Sequence, residues 1–330
     1  MNLGIISTAD INRKVIPGAI ASKKVDLVAV ASRDQKRAES YARKWKIERA
    51  YGTYEGLLED PGVDAVYISL PNTLHVEWSI AALAAGKHVL CEKPLTRHPD
   101  EAKAAFDAAD RAKRILMEAF MYRHNLQTKR LRELIDDGAI GEVRLIRSAF
   151  SYSLYDESNI RLRTDVEGGA LMDVGCYCVS GSRLAAGTEP ETVFGSAWFG
   201  PSGTDWVFTG LMRFPAGSSG SVGDGILASF DCGTALPERD ELEVIGSEGS
   251  LFLDDPWHCT KPVIELRGKK GVEKIRVKRE DSYRLELENL SDAIAGEAKP
   301  LLGRADAMGQ ARALAALHES AESGEPVSIR

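Results

Sequence analysis

The sequence predicts an α/β fold of two domains, the first built on a parallel sheet and the second an α+β domain with a large open, mainly antiparallel sheet. In the first third of the chain, apolar runs alternate with amphipathic segments of about 10 to 15 residues, which is the pattern of βαβ units. Beyond about residue 120, strand-like runs follow one another without long helices, which favours antiparallel pairing. A length of 330 residues suits about two domains. We therefore predict a first domain over residues 1–122 and a second over residues 123–330.

The composition is that of an ordinary globular protein, with 44% hydrophobic and 28% charged residues. The formal net charge of −7 argues against a nucleic-acid partner. No apolar run reaches about 18 residues, and the first residues lack the basic and apolar pattern of a secretory leader, so we expect neither a membrane-spanning helix nor a secreted protein. The five cysteines form no CxxC pair, which predicts reduced thiols, a cytoplasmic location and no metal centre.

Five apolar runs are expected to form the strands of the parallel sheet. In chain order they are NLGII, VDLVAVAS, VDAVYISL, KHVLCEK and RILMEAF. Segments with helical spacing lie between them, and PDEAKAAFDAADRAK carries its acids early and its bases late, as the helix dipole favours. The first domain is therefore predicted as repeated strand–helix units.

The second domain is expected to begin with a helix, QTKRLRELIDDG, and a long alternating strand, GEVRLIRSAFSYSL. The segment GGALMDVGCYCVSGSRLAAG has small residues at helical spacing and ends at Gly187. Strand-like stretches then run from Glu191 to Val277, with Gly, Pro and Asp between them. Two late helices complete the predicted domain.

The strand region of the second domain is unusually rich in aromatic residues. It carries Trp198, Phe199, Trp206 and Phe208, more apolar groups than a free sheet face leaves in water. Antiparallel sheets often have one face free for a partner. We therefore predict a homo-oligomer, a dimer, that pairs through this sheet.

The first strand is followed by STADIN, where a dinucleotide-binding fold would carry a glycine-rich turn. The three critical positions hold Ser7, Ala9 and Asn12. Serine and alanine are the next smallest residues after glycine, a serine hydroxyl can bind a phosphate, and a helix N-terminus offers N–H groups to an anion. The stretch is either a phosphate-binding turn built without glycine or a plain strand–helix connection.

The residues at the end of the second strand indicate which dinucleotide would bind. An NAD site places an acid there to hold the ribose 2′-hydroxyl, but this chain has Ser32 and Arg33, followed by Lys36 and Arg37. Asp34 comes too late for that role and would cap the next helix. Arginine suits a 2′-phosphate, so the segment predicts NADP rather than NAD. The alternative interpretation is a solvated, charged helix start.

Two motifs make the prediction more specific. Glu92-Lys93-Pro94 closes a strand that follows YISLPNTLH, and residues 168–178 read GGALMDVGCYC. Together, in this order and separation, they resemble the Gfo/Idh/MocA family of nicotinamide-dependent oxidoreductases. The glycine-poor first turn resembles the branch that includes NADP-dependent D-xylose dehydrogenases and dimeric dihydrodiol dehydrogenases. The resemblance spans nearly the whole chain.

The resemblance implies a Rossmann domain whose cofactor lies at the carboxyl ends of the parallel strands. The cofactor-binding residues that it implies are Ser7, Ala9 and Ile11 at the pyrophosphate, Ser32, Arg33 and Arg37 at the adenosine phosphate, Leu70, Pro71, Asn72 and His75 at the middle of the cofactor, and Glu92 and Lys93 by the nicotinamide ribose and the substrate.

The second motif departs from a common family pattern, because Tyr177 stands four residues after Asp173 where many members have a histidine. Positions i and i+4 share a helix face, so both side chains are expected at one pocket. The resemblance implies three catalytic residues, with Tyr177 moving the proton, Lys93 assisting and Asp173 orienting the substrate. Lys93 as the acid–base group and Tyr177 as a core residue remain the alternatives.

These observations predict an NADP-dependent oxidoreductase that transfers a hydride between the nicotinamide and a sugar, or a related diol. Its partner molecule would be a small polyhydroxylated substrate. The alternative is a non-catalytic NADP-binding regulator or sensor. Such a protein would have no need of both Lys93 and Tyr177.

Overall fold

The structure is a computed structural model that describes residues 1–156, 158–215 and 225–329. It divides into two compact units. One combines Met1–His124 with Asp281–Met308, and the other combines Asn125–Glu280 with Gly309–Arg330.

The α-helices, in chain order, are α1 (Asn12–Ala21), α2 (Gln35–Trp45), α3 (Tyr54–Leu58), α4 (His75–Ala84), α5 (Pro99–Ala112), α6 (Leu126–Asp136), α7 (Cys176–Ala186), α8 (Ser282–Ile294) and α9 (Arg304–Ser323). Among the described residues, none of these helices has the combination of length and apolar composition that crossing a bilayer requires.

The strands, in chain order, are β1 (Asn2–Ile6), β2 (Asp26–Ala31), β3 (Arg49–Tyr51), β4 (Ala65–Ile68), β5 (His88–Glu92), β6 (Leu116–Ala119), β7 (Val143–Ser153), β8 (Thr192–Phe199), β9 (Asp205–Phe214), β10 (Ile226–Gly233), β11 (Ala235–Gly246), β12 (Gly249–Leu253), β13 (Val263–Gly268), β14 (Gly271–Arg276) and β15 (Val327–Ser328).

The first unit contains a six-stranded, fully parallel sheet in the order β3-β2-β1-β4-β5-β6. The predicted parallel sheet is therefore confirmed, and the five predicted apolar runs all appear in it. All four residues of β4 are buried, as expected for a strand covered by helices on both faces. The strand order reverses between β1 and β4, and ligands of open α/β sheets bind outside the carboxyl ends of the strands at such a point.

The first unit also includes α8, which the sequence assigned to the second domain. A Cβ atom on Gly18 of α1 would lie 2.8 Å from the backbone nitrogen of Arg284, so α1 and α8 pack backbone against backbone at this glycine. The predicted boundary at residue 122 falls two residues before the end of the first segment, but residues 123–330 do not form one continuous unit. The correction comes from this long-range helix contact, which has no local sequence signal.

The second unit contains a nine-stranded sheet in the order β14-β13-β12-β11-β7-β10-β9-β8-β15. Among the strands that the structure describes in this sheet, β7 and β10 pair in parallel and the other neighbours pair antiparallel, which confirms the mainly antiparallel sheet. The predicted strand region from Glu191 to Val277 corresponds to β8–β14, although residues 216–224 lie outside the described residues. Helix α7 packs on β7 and β10 of this sheet.

Candidate active site

The turn after β1 has the backbone of a glycine turn without the glycine. Ser7 has a φ angle of +115°, a region that non-glycine residues rarely adopt. A side chain held there costs on the order of 1–3 kcal/mol unless the surroundings compensate. The turn therefore keeps the conformation that the missing glycine would favour.

Buried hydrogen bonds provide that compensation. The Ser7 Oγ lies 2.9 Å from the carbonyl oxygen of Ser69 and 2.8 Å from the Ser69 Oγ, which share its one proton as acceptors, and it accepts the N–H of Ala9 at 3.1 Å. Asn12 donates its Nδ2 to the carbonyl of Ser7 at 3.0 Å, and its Oδ1 accepts the Ser69 hydroxyl at 2.7 Å. The Ser7 hydroxyl is thus used inside the turn, whereas the sequence had offered it to a phosphate.

Helix α1 begins immediately after this turn. Its N-terminal position, Ile11, has no side-chain capping hydrogen bond, and the first helical turn contains no acidic residue. Backbone N–H groups at such an end suit an anion such as a pyrophosphate. The sequence placed Ala9 and Ile11 at this end of the helix, and the structure has them there.

The end of β2 carries two guanidinium groups. Arg33 and Arg37 are exposed and make no ion pair among the residues that the structure describes. Burial raises the pKa of the nearby Tyr54, and the positive charges of Arg33 and Arg37 oppose that rise. Asp34 accepts the N–H of Arg37 at 2.7 Å and caps α2, which confirms the predicted capping role. Ser32 is buried beside them.

The ends of β4 and β5 are joined by a histidine. His75 is 1% exposed, and its two ring nitrogens contact the carbonyl oxygens of Leu70 and Pro94, each at 2.8 Å. Burial lowers the pKa of His75, so the ring is neutral at physiological pH. A neutral imidazole carries one N–H, so His75 donates a hydrogen bond to one of these two carbonyls and packs against the other. Pro71 and Asn72 lie in the short turn that precedes α4.

Glu92 and Lys93 lie at the end of β5. The Glu92 carboxylate accepts the hydroxyl of Tyr67 on β4 and, at 3.3 Å, the N–H of Lys93. The peptide bond between Lys93 and Pro94 is cis. The structure therefore brings the predicted residues of the first unit to one edge of the sheet, at the carboxyl ends of β1, β2, β4 and β5.

The second motif begins with two glycines that the local packing requires. A Cβ on Gly168 would lie 2.6 Å from the carbonyl oxygen of Arg161, and one on Gly169 would lie 1.9 Å from Asp205 Oδ1. Asp205 accepts the N–H of Leu171 at 2.6 Å, which starts the helical segment. Leu171–Gly175 forms one wide π-helical turn before α7, a feature frequent at functional sites.

Asp173 lies in that π-helical turn and is held by two side chains. Tyr152 donates its hydroxyl to Asp173 Oδ2 at 2.6 Å, and Arg161 forms a salt bridge to the same oxygen at 3.0 Å. Burial, followed by the charge of Asp173, raises the pKa of Tyr152. Neither Tyr152 nor Arg161 is among the site residues that the sequence predicts. Their proximity comes from sheet β7 and the turn before the motif, which spacing does not reveal.

Tyr177 lies on α7 and is 8% exposed. Its ring contacts Phe150 edge to face, with centroids 5.3 Å apart, and Trp257 at 6.0 Å. Trp257 is fully buried, donates its indole N–H to the carbonyl of Ala149 at 3.0 Å and packs closely over Gly181. The phenol therefore lies against an apolar, rigid wall in which a nearby charge acts strongly.

Two family models match the chain. The model described as "Oxidoreductase family, NAD-binding Rossmann fold" matches residues 1–120, and the "GFO/IDH/MocA C-terminal domain" matches residues 128–252.

The curated relatives and solved structures agree with these matches. The chain is 38% identical to D-xylose 1-dehydrogenase (NADP(+)) 2 of Haloferax volcanii, over 100% of both chains. It is 33% identical to trans-1,2-dihydrobenzene-1,2-diol dehydrogenase of Mus musculus, over 76% of this chain and 73% of that one. A 3-ketoreductase from Actinomadura kijaniata, solved with NADP and TDP-benzene, superposes with a TM-score of 0.88 and 29% identity over 97% of each chain.

The positive φ angle of the first turn can be tested by comparing the stability of two substitutions at Ser7. Ser7→Gly removes the hydroxyl but relieves the positive φ angle, whereas Ser7→Ala removes the hydroxyl and keeps the backbone cost. We expect Ser7→Ala to lower the free energy of unfolding by about 1–2 kcal/mol more than Ser7→Gly. Urea unfolding of both variants measures the difference. An alanine variant as stable as the glycine variant would mean that residue 7 is not held at positive φ.

Proposed function

The chain belongs to the Gfo/Idh/MocA family of oxidoreductases, and from this premise we propose that it transfers a hydride between NADP(H) and a sugar or a related diol. It is an enzyme that acts on CH–OH groups or on the corresponding carbonyls. The observation that carries this proposal is the full-length similarity to an NADP-dependent sugar dehydrogenase, combined with arginine in place of an acid at the end of β2.

The residues of the first unit fit an NADP molecule. The turn at Ser7 leads directly into the start of α1, which has no side-chain cap and no acid in its first turn, and the positive end of a helix dipole suits the pyrophosphate. Arg33 and Arg37 suit the 2′-phosphate, because they have no carboxylate partner among the described residues and Arg binds phosphate in a bidentate fork. NAD has no phosphate at this position, so the same arginines favour NADP. When bound, the nicotinamide supplies the acceptor or donor of the hydride.

We assign the proton transfer to the Tyr177 Oη. A free tyrosine has a pKa of about 10, and lowering it by ~3 units takes about 4 kcal/mol of preferential stabilisation of the phenolate. An ammonium in a site of low dielectric supplies energy of that order. We assign that role to Lys93, with the oxidised nicotinamide as a second positive charge.

Asp173 orients the substrate in this proposal. Its Oδ2 is held by Tyr152 and Arg161, which fixes the direction of the carboxylate. A carboxylate so fixed accepts a hydrogen bond from a hydroxyl beside the reacting carbon, and the Arg161 guanidinium offsets its charge. The substrate class that the relatives support is a small polyhydroxylated molecule, either an aldose, a ketosugar or a diol.

We further propose that the protein is a dimer that pairs through the outer face of its nine-stranded sheet. The strand register puts Trp198, Leu211 and Leu227 on one face, and they are 60%, 55% and 55% exposed. Phe208, which the sequence also assigned to this surface, is instead 1% exposed and stacks on Phe230 inside the unit. A second copy of the chain would remove the three exposed side chains from water.

The location that we propose is the cytoplasm. The five cysteines are buried and form no disulfide in the described part of the chain, as expected of a protein that folds where thiols remain reduced.

The cofactor assignment is tested at Arg33. Arg33→Ala should weaken NADPH binding by about one to two decades, because a charge-assisted phosphate contact is worth roughly 1.5–3 kcal/mol, and should change NADH binding little. Titration calorimetry measures both affinities. Arg43→Ala, which alters an exposed arginine on α2, the helix that follows Arg33, is the matched control. Equal losses for both cofactors would reject the assignment.

The proton assignment is tested at Tyr177 and Lys93. Tyr177→Phe should lower kcat by about 10² or more, with NADP affinity nearly unchanged. Lys93→Met should be similarly inactive and still bind cofactor. Tyr155→Phe, which alters a tyrosine that is 74% exposed, is the control. A near wild-type kcat in Tyr177→Phe would mean that Lys93, and not Tyr177, moves the proton. Full activity in both variants would contradict the proposed site.

The dimer is tested by light scattering at micromolar concentration. The mass expected is twice 35.9 kDa. Replacing Leu211 by Lys should yield the monomer, because like charges from two copies would meet in the interface. A wild-type monomer at this concentration contradicts the proposal.

A further inference from the structure

Glu286 is a buried glutamate that the proposed reaction does not use. It lies on α8, is 1% exposed, and its Oε1 has no hydrogen-bond partner among the described residues. Burying an ionised carboxylate without a donor or a counter-charge is among the most costly arrangements in a protein interior. The surroundings of Glu286 must therefore show how the cost of burying its carboxyl group is avoided.

After burial, the group that raises the pKa of Glu286 is the carboxylate of Glu92, at the end of β5 in the candidate active site. Each carboxyl group disfavours ionisation of the other, as with any two carboxyls that share a site of low dielectric. Glu92 is half-buried and accepts two hydrogen bonds, from the Tyr67 hydroxyl and the Lys93 N–H. Donors of this kind stabilise the charged form, so Glu92 is the member of the pair that ionises.

The remaining neighbours of α8 provide no cation for Glu286. Helix α1 carries Arg13 and Lys14, which are exposed. Lys24, which follows α1, is paired with Asp292, and Arg284 of α8 is paired with Glu288. The turn formed by Met121–His124 carries Arg123, which is paired with an aspartate of α9, and His124, whose pKa is lowered by burial to about 3. Among these groups and the rest of the described chain, only burial and Glu92 shift the pKa of Glu286, and both raise it.

The other titratable groups in this cluster are tyrosines. Burial, and then the charge of Glu92, raise the pKa of Tyr67 on β4 and of Tyr283 on α8. Both phenols are therefore neutral at physiological pH. The cluster thus contains one carboxylate, one further carboxyl group and two neutral hydroxyls.

We propose that Glu286 is a positioning residue that stays a neutral acid in the folded protein and so holds the Glu92–Glu286 pair at one negative charge, located on Glu92. This inference rests on the proposed function only for its consequence. A single negative charge at Glu92, beside the nicotinamide ribose, favours the positively charged oxidised cofactor over the neutral reduced one. No bond is made or broken, and the proton remains on Glu286.

The protonation of Glu286 is tested by infrared spectroscopy of the whole protein at neutral pH. The wild type should show the C=O stretch of a buried, protonated carboxyl group, and Glu286→Gln should lack it. Glu297→Gln, which changes an exposed glutamate in the same unit, should retain the band. The inference is overturned if the wild type has no such band or if Glu286→Gln retains it.

A second measurement uses the pH dependence of unfolding. A glutamate with only a packing role would not make the unfolding constant depend on pH in the way described next. The folded-state pKa of Glu286 is raised, so unfolding releases its proton at any pH between the unfolded pKa, about 4.3, and the folded value. Relative to Glu286→Gln, the wild-type unfolding constant should therefore rise about tenfold for each pH unit in that window. A ratio that stays constant from pH 5.5 to pH 8 would overturn the inference.

The consequence for the cofactor has its own test, at Glu92. Glu92→Gln removes the negative charge and should weaken NADP+ relative to NADPH roughly tenfold, measured as the ratio of the two dissociation constants. An unchanged ratio would reject the position of Glu92 beside the nicotinamide, which belongs to the proposed function. The infrared and unfolding measurements test the protonation of Glu286 independently of that result.

Discussion

The cofactor-binding unit depends on one constraint, which is that the backbone at Ser7 must hold a positive φ angle without a glycine. The hydrogen bonds that hold it come from three elements: Ser7 follows β1, Asn12 begins α1 and Ser69 follows β4. These elements meet where the strand order reverses. The network therefore fixes at once the turn, the start of α1 and the end of β4, and His75 extends the same support to the end of β5.

In the second unit, too, polar side chains are held in place by residues distant in sequence. The carboxylate of Asp173 and the phenol of Tyr177 both lie at the start of one helical segment, but each is fixed by residues distant in sequence. Tyr152 and Arg161 bind the carboxylate, and a rigid aromatic wall that includes Trp257 borders the phenol. In both units the polar groups proposed for binding or chemistry are thus oriented by neighbours before any ligand arrives, which reduces the cost of reorganisation.

The sequence predicts well what local patterns determine. Apolar runs identify the strands of the parallel sheet, Asp34 is recognisable as a cap, and the Glu92-Lys93-Pro94 motif identifies the family. Contacts distant in sequence carry no such signal. The return of α8 to the first unit depends on close packing at Gly18, and the use of the Ser7 hydroxyl inside its turn depends on Ser69, 62 residues away. From the sequence, Phe208 looks the same as an exposed aromatic residue such as Trp198. The sheet register shows that Phe208 points to the buried face.

The central claim, hydride transfer between NADP and a sugar, is tested most directly by following an isotope. The protein is incubated with NADP+ and a panel of C-deuterated aldoses and diols, and with deuterated NADPH and ketosugars, and both products are examined by mass spectrometry. The account predicts that deuterium passes between the substrate carbon and the nicotinamide, and that Tyr177→Phe slows this transfer. Tight binding of NADP without deuterium transfer in either direction would contradict it and would indicate a protein that only binds the cofactor.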